Sequence, residues 1–169
     1  MNLIILDIET SSLDPSKGEI LEIGAVRIAT GEAFEVKIHP LRIKDADPEA
    51  LAVNGYNKKD WEEAFLLPHA LQLLSEFVDL APAYLMAYGV SFDRSFLEKA
   101  YRDCNLPYPF HYHHLDLMTL AWAHSKEGDP LSLSAVASRL GVAPEAKPHR
   151  ALAGAVCSWE VYQNLTPNL

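Results

Sequence analysis

Cysteine is nearly absent: the chain has two in 169 residues, Cys104 and Cys157, far apart and without C-x-x-C spacing. A buried thiol or a bystander fits such residues better than a redox pair, so a reducing, cytoplasmic setting is expected. Positive charge is scarce too, with 14 Lys and Arg against 23 Asp and Glu, a formal net charge of −9. That balance disfavours non-specific binding to long duplex DNA, which relies on broad neutralisation of phosphates, and leaves room for a small metal-loaded site. There is no long hydrophobic run. The longest uncharged apolar stretch, Leu80 to Val90, is too short to span a bilayer and contains Pro82 and Gly89. No basic segment precedes the apolar N-terminal run, which Asp7 interrupts, so no targeting segment is expected. With eight glycines the chain still lacks G-x-x-x-x-G-K-[ST], G-x-G-x-x-G and G-x-S-x-G. A P-loop NTPase, a dinucleotide enzyme and an α/β-hydrolase are thereby disfavoured. Repeats, low-complexity tracts and Ser/Gly linkers are also missing, so one domain over residues 1–169 is expected. At that size about 70% of the unfolded chain's surface can be buried without any staple.

Half of the chain, 49%, is hydrophobic, and its patterning outlines the elements. Leu3 to Leu6 reads as a buried central strand that ends at Asp7. Ile20–Ala29 and Ala33–Ile38, joined by Thr30-Gly31-Glu32, read as an antiparallel hairpin. Pro68 suits the first turn of a helix with Leu71, Leu74, Phe77 and Val78 on one face. Ala83–Tyr88 is a further strand, and Ser91 an N-cap for a helix with Phe92, Phe96 and Ala100 on one stripe. Tyr112–Leu115 reads as a strand, leading into a helix over Leu117–Ala123. Ser132 and Gly141 bracket a short helix, and a final helix runs roughly from Arg150 to Asn164. A hairpin followed by alternating helices and strands gives an α/β architecture, a mixed sheet with helices packed on it.

Asp7 and Glu9 lie two apart at the end of the first strand, so both carboxylates project from one face. Close carboxylates repel unless a cation sits between them, and a hard divalent ion accepts such oxygens. The same spacing at Asp47-Pro48-Glu49 reads better as a helix start. Asp93 stands in the opening turn of a helix, where a carboxylate is also favoured merely by the helix dipole. His149, between Pro148 and Arg150 at the mouth of the last helix, fits a general base, because imidazole titrates near neutrality. A structural histidine is its plainer alternative. His111 and His113 share one side of a strand, but no third ligand has zinc-like spacing.

Taken together, ordered blocks from Leu3 to about Leu165 resemble the DEDDh 3′–5′ exonucleases, such as proofreading epsilon subunits, ribonuclease T and oligoribonuclease. The blocks are Ile5-Leu6-Asp7-Ile8-Glu9-Thr10-Ser11-Ser12-Leu13 with Ile20–Val26, Asp47–Gly55, Ala87–Leu97, Leu115–Ala121 with Leu133–Gly141, and Pro148–Gly154. The resemblance implies a ribonuclease H-like fold, with a five-stranded mixed sheet flanked by helices. It implies two Mg²⁺ or Mn²⁺ ions and phosphodiester hydrolysis at the 3′ end of single-stranded DNA or short RNA. Asp7 would bridge the ions, Glu9 would hold the ion carrying the attacking water, Asp93 would hold the other, and His149 would take the water's proton. Thr10, Ser12 and Leu13 would contact the terminal nucleotide, with Leu13 as an apolar wedge, and Asn54 would add a further contact. A polymerase or repair protein is an implied partner, and relatives that pair up suggest a homodimer.

Two positions depart from the pattern. Gly89 stands where the family has Asn. Gly154 stands five residues after His149, where H-x-x-x-x-D places the fourth carboxylate. Loss of that ligand is expected to cost at least the 10–100-fold typical of an outer metal partner. No neighbouring acid stands out as a replacement, Glu160 being nearly two helical turns further on. The sequence therefore supports an exonuclease weakened at its metal site, or an inactive module that binds nucleic-acid ends or docks on a polymerase or repair partner. A globular domain with purely structural acids would require the blocks to coincide by accident.

Overall fold

In the computed structural model, which describes residues 2–79 and 83–167, the sheet is organised around its longest strand, which lies at its centre. That strand, β1 (Asn2–Thr10), runs three residues past Asp7, where its apolar run ends. The extension is held by β2 (Ile20–Arg27), which pairs antiparallel with it from Ile4↔Arg27 to Thr10↔Ile20. The backbone ladder thus continues even though the side chains turn acidic. A register shift between Glu9 and Thr10 marks a bulge there, a device common beside active sites because it re-aims side chains.

β3 (Ala33–Lys37) completes the expected hairpin, and β4 (Ala83–Ala87) and β5 (Phe110–Asp116) add parallel strands on the other side. The order is β3-β2-β1-β4-β5, the five-stranded ribonuclease H-like sheet. Among the described residues six α-helices are interleaved with the strands: α1 (Pro48–Asn54), α2 (Leu67–Val78), α3 (Ser91–Asp103), α4 (Leu117–Ala123), α5 (Leu133–Leu140) and α6 (Ala151–Leu165). Residues 80–82, the start of the apolar stretch ending at Val90, lie outside the described residues. Among those described, no helix is long and apolar enough to cross a membrane.

Alternation along β1 divides the core in two. Ile4, Leu6 and Ile8 face the cluster built with α2 and α3, whereas Leu3 and Ile5 face the one built with α4, α5 and α6. Each such side chain, fully buried, contributes about 1.5–3 kcal/mol. Asp7 and Glu9 continue the second set, so they point towards α6 once the apolar residues run out. Helix α6 comes unusually close. A Cβ on Gly24, opposite Asp7 in β2, would overlap the backbone of Ala151 and Leu152.

The helix ends largely follow their expected chemistry. Asp47 caps α1 by accepting from the Glu49 N–H, and Ser132 caps α5 by accepting from Ala135 N–H. Gly141 ends α5 in the left-handed region, at φ 74°. Ser91 is not the cap of α3. It is the first helical residue, Val90 is the cap, and no side chain caps that end.

Candidate active site

β4 pairs with β1 up to Ile5↔Met86 and ends beside the point where β1 turns acidic, and a site in an open sheet usually lies past such a strand end. Helix α3 begins after β4 and delivers Asp93 there from its first turn. Asp93 is 3% exposed, and its Oδ1 has no hydrogen-bond partner. Asp7 is held well above the ordinary carboxylate range, first by burial and then by the charges of Asp93, Glu9 and Glu145; the Ile8 N–H opposes this. Glu9 is pushed from 4.5 up to about 8 by burial, then by Glu145 and Glu22, with Arg150 opposing and Asp93 adding to the rise. Burial also raises Asp93, against the backbone N–H groups of Asp93 and Ile8. The charge of Asp93, brought by α3, therefore reaches both Asp7 and Glu9, which lie two apart on β1.

Helix α1 positions the histidine. The His149 N–H donates to the Val53 carbonyl at 3.0 Å, and Pro148 packs on Gly55, where a Cβ would come within 2.6 Å of the Pro148 Cβ. Gly55, at φ 63°, closes α1 in the left-handed region, so glycine is suited to this junction on both counts. The other end of α1 is tied to β1 by the Asp47 N–H, which donates to the Ser11 carbonyl at 2.8 Å. His149 Nδ1 then lies 3.3 Å from Glu145 Oε2. Ligand-type atoms of Glu9, Glu145 and His149 all lie within 4.8 Å of one another.

Arg150 stands at the edge of this cluster. It donates through Nη2 to Glu22 Oε1 at 2.8 Å, and its guanidinium lies 4.9 Å above the Trp61 ring. Glu22 faces Glu9 across the β1–β2 ladder, an arrangement of like charges that is unfavourable without a cation.

A cleft of about 270 Å³ opens beside the acids, lined by Glu9, Thr10, Leu13, Val53, Asn54 and Phe92 among others. Leu13 is 77% exposed at its rim, free to meet a ligand. Thr10 Oγ1 donates to the Ser12 carbonyl at 2.8 Å, and the Asp14 N–H donates to Ser12 Oγ at 3.3 Å. Ser12 shapes the turn between Thr10 and Leu13 and does not line the cleft. Asn54 does line it but is 2% exposed, with its amide already engaged: Nδ2 donates to the Thr10 carbonyl and Oδ1 accepts from Tyr56 N–H. It therefore holds the cleft wall in place.

His111 and His113 do not form a metal site with a third ligand among the described residues. The His113 N–H donates to His111 Nδ1 at 3.1 Å, and the His111 ring packs on Tyr84. Glu145 is a carboxylate of the Glu9–Glu145–His149 group that the sequence pattern does not single out. It lies four residues before His149 on the loop entering α6, on the side of His149 opposite to the one where the pattern puts its acid. Proximity in sequence to His149 was the available signal.

A family model described as exonuclease, for the RNase T group, matches residues 4–162. The chain belongs to the DEDDh exonuclease family. The PolC-type DNA polymerase III of Thermotoga petrophila is 31% identical over 171 residues, covering 94% of this chain and 11% of that protein. The chain thus spans only about a tenth of that relative's length. The zinc-bound E. coli exonuclease I–ssDNA complex superposes with TM-score 0.79 at 16% identity, covering 98% of this chain and 40% of that one. The rAMP-bound nuclease domain of 3′hExo gives TM-score 0.73 at 16% identity, with 95% and 90% covered. The family is divalent-metal dependent, and the Glu9–Glu145–His149 group is a candidate site for such an ion. The residues fit the requirement: oxygen donors predominate, and the buried Asp93 Oδ1 has no other partner.

Gly89 adopts φ 81°, a region that glycine enters freely and Asn better than most residues. The first departure from the family pattern is therefore conservative in backbone conformation. Its N–H donates to Asp116 Oδ1 at 3.0 Å, tying the turn before α3 to the start of α4.

Proposed function

We propose that this chain is one exonuclease domain over residues 1–169, removing nucleotides from the 3′ end of single-stranded DNA or short RNA by metal-dependent hydrolysis. One observation carries the reading: ligand-type atoms of Glu9, Glu145 and His149 lie within 4.8 Å of one another beside an open cleft that Glu9 lines, and the charge of Asp93 reaches both Asp7 and Glu9. Asp7, Glu9 and Asp93 would hold Mg²⁺ or Mn²⁺, and such ions supply charge stabilisation for the attacking and leaving oxygens. His149 keeps Nδ1 towards Glu145, which leaves Nε2 to accept the proton of the attacking water. Leu13 and Phe92 offer apolar surface to the terminal base, and Thr10 and Asn54 hold the wall between them.

The ssDNA of exonuclease I and the rAMP of 3′hExo support a single-stranded nucleic acid as substrate, and the PolC-type relative supports a polymerase partner. A 3′-labelled single-stranded oligonucleotide incubated with Mg²⁺ or Mn²⁺ tests the activity. Stepwise shortening is expected, and Asp7→Asn should reduce it at least about 100-fold, a loss of about 2.7 kcal/mol of transition-state stabilisation. Binding of the oligonucleotide with no shortening by the unmodified chain would replace the enzyme with an end-binding module.

A further inference from the structure

We propose that Glu145 supplies the fourth carboxylate that Gly154 cannot, holding the same metal ion as Glu9. This rests on the exonuclease reading and names a residue outside the family's pattern. Position 154 has no room for a side chain while Asp7 stands as it does, because a Cβ there would overlap the Asp7 Oδ2. A carboxylate for that ion must therefore arrive from another element.

The loop entering α6 brings one. Glu145 is fixed, with Oε1 accepting from the Arg150 N–H at 2.9 Å. Its own backbone N–H points at the thiol of Cys157, one helical turn beyond Gly154 on α6. These two tethers hold the loop against the first half of α6. The side chain is 11% exposed, so it is not a solvated surface acid. Its second oxygen, Oε2, faces His149 within the group that includes Glu9.

A buried group of this kind needs a counter-charge. Arg150 is already paired with Glu22, an acid that is 0% exposed. Asp93 points to a ligand independently: it is buried, acts on both Asp7 and Glu9, and leaves Oδ1 without any partner. Carboxylates left uncompensated in this way are the donor set of a hard divalent cation. The substitution keeps the number of acids at four while moving one of them from the helix to the loop.

Manganese binding provides a readout separate from turnover. Titration calorimetry with Mn²⁺ alone should show Glu145→Gln losing about 10–100-fold in affinity. The melting temperature of the variant in EDTA should equal or exceed that of the unmodified chain, because a repelling charge has gone. Glu160→Gln, on α6, should bind as the unmodified chain does. Unchanged Mn²⁺ affinity in Glu145→Gln would overturn the proposal, and if turnover fell at the same time, Glu145 would be only a positioning residue for His149. Should the Gln variant melt markedly lower in EDTA, Glu145→Asp, which keeps the charge and shortens the arm, must show the same loss of affinity; Mn²⁺ binding unchanged there would also overturn the assignment. The two readings separate cleanly. Lost Mn²⁺ affinity in a chain that shortens no oligonucleotide removes the exonuclease and leaves the ligand; equal affinity and equal shortening in both removes the ligand and leaves the exonuclease.

Discussion

Gly154 does more than omit an acid. Its bare backbone gives Asp7 room to press its carboxylate against α6, and a methyl group there would force that carboxylate to turn. Gly154→Ala therefore separates stability from function. Alanine improves the helix by up to about 1 kcal/mol, and the atom it meets is the end of a side chain that can rotate. The unfolding free energy from urea denaturation should move by no more than that, in either direction. Activity should fall on the order of 100-fold, because misplacing a reacting group by about 1 Å has that effect. Equal losses in both measurements would mean that α6 itself had moved. Residues at this scale divide by how much of their environment is local. Asp7 and Glu9 are legible because a strand's two-residue period puts them on one face, and His149 because a helix mouth follows it. Glu145 is not legible as a partner of Glu9, since that proximity depends on the path of an irregular loop. Asn54 is legible as belonging to the site, but its engaged amide is visible only once Thr10 and Tyr56 have been brought to it.

Elements place these residues, and the contact of α6 with the sheet is the most demanding of them. Gly24 is the residue that permits it, because any side chain there meets helix backbone, which cannot rotate aside. Gly24→Ala should cost about 3 kcal/mol or more, at the upper end of overpacking penalties. Activity should fall too, since lifting the start of α6 carries the Pro148–His149 turn with it. Denaturant midpoints against an unaffected slope would measure the first effect, and oligonucleotide shortening the second. A loss below about 1 kcal/mol would mean that the helix yields easily and does not fix the site. The hairpin, α2, α4 and α5 follow from apolar periodicity and end signals, to within a few residues. The extent of β1 does not, because pairing with β2 carries the strand beyond its apolar run. The cap of α3 escapes for a related reason: Ser91 is chemically suited to capping, but the turn held by Gly89 and Asp116 starts the helix one residue early.

At the scale of the whole molecule, the same acids link stability to pH and to metal. Asp7, Glu9 and Asp93 all take up protons more readily in the folded chain than ordinary carboxyls do, and Glu9 does so up to about 8 from 4.5. Between those values the folded state binds more protons than the unfolded one, so unfolding free energy falls as pH rises through the window. Below the lower value both states are protonated, and the dependence vanishes. In EDTA the melting temperature should therefore decline from about pH 5 to pH 8. Divalent cations replace the protons and release them on binding, so millimolar Mn²⁺ or Mg²⁺ should flatten or reverse that decline. The net charge of −9 produces a decline of the same sign through general self-repulsion, and salt distinguishes the two. At about 0.5 M KCl the Debye length falls well below the size of the molecule, which screens exposed charges and leaves a buried cluster largely unscreened. A decline that persists in KCl, and is removed by Mn²⁺ but not in Asp7→Asn, assigns the effect to the site. A decline abolished by KCl alone would assign it to the surface, and the carboxylates of β1 would then carry no particular strain in the metal-free chain.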